Sequence, residues 1–349
     1  MIKSEEKIPV AILGATGSVG QKFIELLANH PWFHIAELCA SDKSAGKKYK
    51  YAVDWFLSSK LPDEVGEIIV KNCEPSLKSK VVFSGLDSSV ASDIETNFAN
   101  AGYKVISNSK NHRMDDDVPL LIPEVNPDHL DLINTQKYGK GCIVTNPNCS
   151  VIGLVIALKP LLDNFGLEAV NVVTMQAISG AGHPNVVKLD IDDNVIPFIK
   201  GEESKVEIEP KKILGHLNNS KIDFNEFKIN AQCNRVNVTD GHTECVQVTL
   251  SKKASVDEII ESWNNFKSIP QEMNLPLAPL KSIHYCSNDD FPQAKHQRNI
   301  DKGMAVSVGR LQKDKIFDYS FVILSHNTIR GAAGGAILCA ELMKIKNQL

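Results

Sequence analysis

The chain has 349 residues, 43 % of them hydrophobic and 23 % charged, with a formal net charge of −4. That is the composition of a soluble globular protein of about two domains, and no block of Lys and Arg marks a nucleic-acid partner. No run of about 18 uncharged apolar residues predicts a membrane span, and the polar start MIKSEEK lacks the apolar core of a signal peptide.

Residues 7–14, KIPVAILG, predict a short buried strand. The turn GATGSVG at 14–20 follows at once, and Val19, Phe23, Leu26 and Leu27 then recur at helical spacing. Strand, glycine turn and helix in this order are the context a dinucleotide site requires. The glycines let the backbone approach a pyrophosphate, and the helix N-terminus offers N–H groups to the anion. Such turns also serve only to pack a strand on a helix, but the complete context favours the cofactor. Further buried strands are expected at 35–41, 81–85, 104–107 and 142–145, with a helix at 89–101. This alternation predicts a parallel sheet covered on both faces. The second strand ends in CASDKS at 39–44. Ser41, Lys43 and Ser44 suit the 2′-phosphate of NADP, whereas Asp42 alone suits NAD.

The pattern changes at TNPNCSVIG, residues 145–153. Pro147 leads into a predicted helix at 151–164, which places Cys149 at its positive end. A thiol there is expected to ionise readily and to be the first to react with an alkylating agent. Asn148 and Ser150 offer hydrogen-bond donors beside it. Cys142, Cys233, Cys245 and Cys339 lie in apolar patterns and read as core residues. None of the eight cysteines forms a CxxC pair, so no metal site is expected. With no export signal, reduced thiols in the cytoplasm are the simplest reading. Long β-rich runs follow at 169–178, 228–238, 243–252, 304–312 and 317–325, with a helix at 256–266 and another at 328–349. Antiparallel pairing is the simplest arrangement for them. His242 falls in a turn, DGHTE, between two of these strands.

Seven segments, GATGSVG, PEVNPDHL, NPNCS, QAISGAG, DNVIPFIKGEESK, CNRVNVTDGHTE and HNTIRGAAGGA, occur in this order. Together they resemble the aspartate-β-semialdehyde dehydrogenase family, in the branch found in archaea and fungi. The resemblance covers nearly the whole chain. It implies an α/β protein. A Rossmann-like NADP-binding domain at 1–148 would be completed by the C-terminal helix 327–349. An α+β catalytic and dimerisation domain with a large mixed or antiparallel sheet would occupy 149–326. The implied reaction is the reversible, NADP-dependent reductive dephosphorylation of L-aspartyl 4-phosphate to the semialdehyde. That step serves lysine, threonine, methionine and isoleucine synthesis.

The resemblance also assigns residues. Cys149 would be the nucleophile that forms a thioester, His242 the general acid/base, and Gln176 the group that orients the acyl carbon. Arg235 would hold the substrate carboxylate and Glu202 its amino group. Lys205 and Arg113, with Asn148, would hold the phosphate. Gly14, Thr16, Gly17, Ser18 and Val19 would meet the pyrophosphate, and Ser41 and Ser44 the 2′-phosphate. Ser84 and Gly85 would line the cofactor cleft, Ser179 and Gly180 would lie by the nicotinamide, and Asn327 would return from the C-terminal segment. The substrate would meet the nicotinamide at the domain boundary. A homodimer or homotetramer is implied, with small-molecule substrates and neither nucleic acid nor membrane as partner. Three alternatives stay open: N-acetyl-γ-glutamyl-phosphate reductase, malonyl-CoA reductase and a non-catalytic NADP sensor.

Overall fold

The computed structural model describes residues 6–183, 185–188 and 190–349. The chain divides into two compact units. The first takes the residues up to Leu120, then Leu130–Asn146 and Ala336–Leu349; the second takes Leu121–His129 and Pro147–Gly335.

The first unit holds strands β1 (Ile8–Leu13), β2 (Phe33–Ala40), β3 (Lys71–Asn72), β4 (Val81–Ser84), β5 (Lys104–Ser107) and β6 (Cys142–Thr145). They pair in parallel in the order β3-β2-β1-β4-β5-β6. That is the order of a dinucleotide-binding sheet, and its strands are short and apolar because both faces are covered. Ala11, Leu13, Val82, Val105 and Ile143 from the strands pack with Phe98 of the helix Ser88–Asn100. The C-terminal helix belongs here from Ala336 on, and the buried Glu341 accepts a 2.7 Å hydrogen bond from His30.

The second unit is built on β7 (Leu167–Gln176), β10 (Lys228–Arg235), β11 (His242–Leu250), β12 (Ile283–Cys286), β13 (Val306–Lys313) and β14 (Tyr319–Ser325), with a separate hairpin of β8 (His216–Asn218) and β9 (Lys221–Asp223). The order is β10-β7-β11-β14-β13-β12. The sheet is mixed: β10 runs parallel to β7, and β12 parallel to β13. The long passage from β7 to β10, which contains the helix Glu202–Ile213, brings the chain back to the end where β7 began, as a parallel pair demands. The expectation of antiparallel pairing therefore fails at both edges. Nor do β10 and β11 form a hairpin through Asp240-Gly241, because β7 lies between them.

Alternation along β11 divides the two faces of this sheet. His242, Glu244, Val246, Val248 and Leu250 are buried, while Thr243, Cys245, Gln247 and Thr249 are half-buried. Cys245 thus points to the more open face and is not the core residue expected. The helix Cys149–Phe165 packs against β7, β11 and β14. Trp263 on the helix Val256–Asn264 is fully buried and donates its indole N–H to Ala157 O.

Candidate active site

The helix Cys149–Phe165 is capped by Asn148, whose Oδ1 accepts from the N–H groups of Ser150 and Val151. Neither expected donor is shown bonded to the sulfur: Asn148 caps the helix and donates to Glu202, and the buried Ser150 hydroxyl has no hydrogen-bond partner among the described residues. Cys149 is the first helical residue, at the positive end of the peptide dipoles. Its Sγ lies 3.2 Å from His242 Nε2. His242 opens β11 and is fully buried. Its Nδ1 accepts a hydrogen bond from the Ala177 N–H at 3.0 Å. Burial, then the Arg235 and His326 charges, push the imidazole's pKa down to about 3 against the pull of Glu202.

Four neighbouring strands supply one row of polar side chains. Arg235 of β10 lies beside Gln176 of β7, and His242 of β11 beside Ser325 of β14. Side chains in such a row share a face. Arg235 Nη1 donates to Ala177 O at 2.7 Å, which fixes one prong of the guanidinium. The helix Glu202–Ile213 brings Glu202 to this row. Glu202 Oε1 accepts from Asn148 Nδ2 at 2.6 Å and Gln176 Nε2 at 3.3 Å, and Oε2 accepts from Lys205 Nζ at 2.8 Å. Burial raises the Glu202 carboxyl, but Lys205 and Asn148 outweigh it and hold the group below its usual value. Glu202 and Lys205 are thus neither a lone pair of surface charges nor distant from the thiol's own cap.

The second unit therefore gathers Cys149, His242, Gln176, Arg235, Glu202, Lys205 and Asn148. Ser179, Gly180 and Asn327 adjoin them. Asn327 Nδ2 donates to Ser179 Oγ at 2.8 Å, and its Oδ1 accepts from Gly241 N–H. Any side chain on Gly180 would meet Arg235 Nη1 at 2.7 Å. Arg113 belongs to the first unit, where it donates to Asn108 O.

The first unit also carries the glycine turn, and its residues fit a dinucleotide. Gly14 has φ +73°, and a Cβ there would lie 2.8 Å from Gly85 O. A Cβ on Gly20 would lie 2.3 Å from Gly14 O. Gly17 caps the helix Ser18–Leu27 without a side-chain hydrogen bond, so no side chain blocks the positive end. Thr16, Ser18 and Val19 are half-buried in this turn. Ser41 and Ser44 lie in a turn after β2, joined by a hydrogen bond from Ser44 N–H to Ser41 O. The Ser84 hydroxyl instead points inward to Glu95 Oε1 at 2.6 Å, so only its backbone is available to a ligand.

Reading the sequence missed Glu244, Glu209, the Ala177 amide and Gly331. Glu209 Oε2 accepts from Asn148 N–H at 2.7 Å, and no sequence signal marks it. Gly331 abuts the Cys149 backbone. Glu244 was legible: period-2 alternation puts it on the His242 face, one pleat on. It is buried, and among the described residues neither carboxyl oxygen has a hydrogen-bond partner. Burial first, and the Glu202 charge second, raise its pKa well above the usual value. Glu244 is therefore neutral in the folded state, since an unpaired buried carboxylate is far more costly.

This has a measurable consequence. Above the usual carboxylate range the unfolded chain ionises Glu244 while the folded chain keeps the proton. Stability is lost as pH rises toward the raised folded value, at about 1.4 kcal/mol per pH unit. Glu244→Gln removes that dependence. Its stability relative to the parent should climb with pH from about pH 5 upward, whatever the constant offset from burying an amide. Denaturant unfolding of both proteins at several pH values measures this slope. A difference that stays flat means Glu244 is ionised in the fold.

A dinucleotide sheet in one unit and a half-buried thiol against a buried imidazole in the other define a thiol-dependent oxidoreductase linked to a nicotinamide cofactor. The semialdehyde dehydrogenase NAD binding domain matches residues 9–133, and the semialdehyde dehydrogenase dimerisation domain matches residues 158–330. The aspartate-semialdehyde dehydrogenase of Archaeoglobus fulgidus is 49 % identical over 96 % of this chain and 97 % of its own. That of Candida albicans is 47 % identical over 96 % and 98 %. The crystal structure of a Candida albicans aspartate semialdehyde dehydrogenase with NADP has a TM-score of 0.91 at 42 % identity, covering 99 % of this chain and 100 % of that one. The chain belongs to the aspartate-semialdehyde dehydrogenase family.

Proposed function

We infer that the chain catalyses the reversible reductive dephosphorylation of L-aspartyl 4-phosphate to L-aspartate 4-semialdehyde with NADP. The product feeds lysine, threonine, methionine and isoleucine synthesis. The observation that carries this reading is the Cys149–His242 contact at 3.2 Å, at a helix start and beside the Arg235–Gln176–Glu202 group. Cys149 sulfur attacks the acyl carbon, and phosphate leaves with the electron pair of its C–O bond. A thioester on Cys149 results. Gln176 orients the acyl group, Arg235 the α-carboxylate and Glu202 the ammonium. Lys205 and Arg113 hold the phosphate, with Asn148 fixing both Glu202 and the helix start. The bound cofactor supplies the hydride. Gly14, Thr16, Gly17, Ser18 and Val19 hold its pyrophosphate, Ser41 and Ser44 its 2′-phosphate, and Gly85 and the Ser84 backbone line its cleft. Ser179, Gly180 and Asn327 serve the nicotinamide end. The test is phosphate-dependent reduction of NADP by aspartate semialdehyde. Turnover only with N-acetyl-glutamate semialdehyde, or only with CoA in place of phosphate, would overturn the substrate.

Residues 1–148 with 327–349 serve as the NADP-binding domain, and 149–326 as the catalytic and dimerisation domain. A second copy covers the half-buried sheet face that carries Asn171, Met175, Thr243, Cys245 and Gln247, as a homodimer or a homotetramer built from it. Among the described residues no helix is long and apolar enough to cross a membrane. All eight cysteines are free thiols, which supports a reducing, cytoplasmic setting.

Arg235→Lys should test the carboxylate assignment. A guanidinium presents two parallel donors to a carboxylate and an ammonium only a point charge. One Arg235 prong is already held by Ala177 O, so the fork's direction is set before substrate arrives. The lysine variant should raise KM and lower kcat, together costing about tenfold or more in kcat/KM. A folded variant with parent kinetics makes Arg235 a structural residue.

A further inference from the structure

Three carbonyl groups in a row, at Gly14, Ala15 and Thr16, lead toward the helix Ser18–Leu27, and each is held by a donor of the first unit. Gly14 O accepts from Gly17 N–H at 3.0 Å. Ala15 O accepts from the Tyr49 hydroxyl at 2.7 Å. Thr16 O accepts from Gln21 Nε2 at 3.1 Å. The negative end of a carbonyl repels a pyrophosphate, whereas backbone N–H groups attract it. A planar trans peptide sets its C=O and N–H on opposite sides. Drawing Ala15 O toward the buried phenol therefore turns the Thr16 N–H away from the core.

The two donors are themselves anchored. Tyr49 is fully buried, and its own N–H donates to Ile68 O at 2.8 Å. Burial pushes the phenol's pKa up, so the hydroxyl keeps its proton and stays a donor. With no exposed surface, Tyr49 can act on a ligand only through the turn it holds. Gln21 is buried as well. It also donates to Asp54 O at 2.8 Å and accepts from Phe56 N–H at 3.2 Å. The Ala15 N–H donates to Cys39 O at the end of β2, at 2.9 Å, so both sides of that residue are fixed.

We propose that Tyr49 and Gln21 are positioning residues, which hold the carbonyls of the glycine turn inward and so present its N–H groups to the cofactor pyrophosphate. The proposal rests on the reading of residues 14–20 as the cofactor turn. It assigns the effect to one part of the ligand. NADP and NAD share the pyrophosphate and differ at the 2′-phosphate, which the Tyr49 hydroxyl and the Gln21 amide do not serve.

The test is calorimetric titration of the full chain with NADP, NAD and adenosine 2′-monophosphate, the last of which has no pyrophosphate. Tyr49→Phe keeps the ring and removes only the donor to Ala15 O. NADP and NAD should each bind about tenfold more weakly, the scale of one lost hydrogen bond to a charged group. Adenosine 2′-monophosphate should bind as it does to the parent. Gln21→Met, of similar size, should repeat the pattern. In steady-state kinetics both variants should raise KM for NADP far more than they lower kcat. Parent affinity for NADP in either folded variant overturns the proposal, and makes that residue a packing residue even if the melting temperature falls. Equal weakening of adenosine 2′-monophosphate overturns it too, since that marks a general loosening of the unit. Weakening of NADP alone, with NAD unchanged, overturns it by placing the effect at the 2′-phosphate. A parent chain that binds none of the three ligands sinks instead the underlying reading of the turn.

Discussion

Cys149→Ala should lower phosphate-dependent turnover by about 10⁴-fold or more while the protein melts at nearly the parent temperature. The activity loss follows because no other cysteine stands in for it. Cys142, Cys233 and Cys339 are buried, and burial raises the thiols of Cys142 and Cys233. The fold should survive because Asn148, not Cys149, caps the helix, and alanine is the best helix former. Cys149→Ser should be nearly as inactive, since a hydroxyl at neutral pH is a far weaker nucleophile than a thiol. Steady-state rates with the semialdehyde, beside thermal melting, measure both. Limited alkylation should label Cys149 first in the parent and leave this variant slow to react. Turnover within tenfold of the parent would remove Cys149 as nucleophile.

Gly331→Ala should damage catalysis from the opposite side of the same sulfur. The segment Ile329–Ala333 is a π-helical turn, a geometry found often at functional sites. A Cβ on Gly331 would lie 2.8 Å from Cys149 Cβ, 2.9 Å from its Cα and 3.0 Å from its O. Two of those atoms are backbone at a helix start, so neither can rotate aside. The turn itself is held rigidly. Arg330, next in the chain, makes a buried two-pronged pair with Glu124 at 2.7 and 2.6 Å. Either the turn or the first residue of the Cys149 helix must move. Overpacking of this kind costs about 1–3 kcal/mol. A shift of about 1 Å in a reacting atom slows chemistry by about a hundredfold. The variant should therefore show a lower kcat out of proportion to any change in KM, and a longer distance from sulfur to imidazole in a crystal structure. Parent kcat in a folded variant would mean that the turn yields and does not seat the nucleophile.

What the sequence carried was local. The glycine turn between a strand and a helix, and a cysteine after Asn-Pro-Asn at the mouth of an apolar run, depend on residues within one or two turns. The parallel sheet of the first unit was equally legible, because doubly covered strands are short and continuously apolar while the helices between them repeat at 3.6. The mixed sheet was read less well. The mainly polar helix Glu202–Ile213 shows no strong apolar stripe, and without it the return of β10 parallel to β7 could not be foreseen. Glu244 and Cys245, adjacent in sequence, were separable only by the alternation of β11, which sends one inward and the other to the open face.

The tertiary structure alone decided the chemistry between distant residues. Cys149 and His242 are 93 positions apart, and only the packing of the Cys149 helix on β11 brings sulfur and nitrogen together. The His242 ring is held by a backbone amide at Ala177, and main-chain N–H groups leave no mark on side-chain composition. The sequence by itself determined the elements, the glycine cradle and the thiol's place at a helix start, because those follow from periodicity and backbone preference. Which groups meet around the thiol and which carboxyl stays neutral depend on burial and on sub-ångström distances. Those arise only when strands far apart in the chain lie side by side.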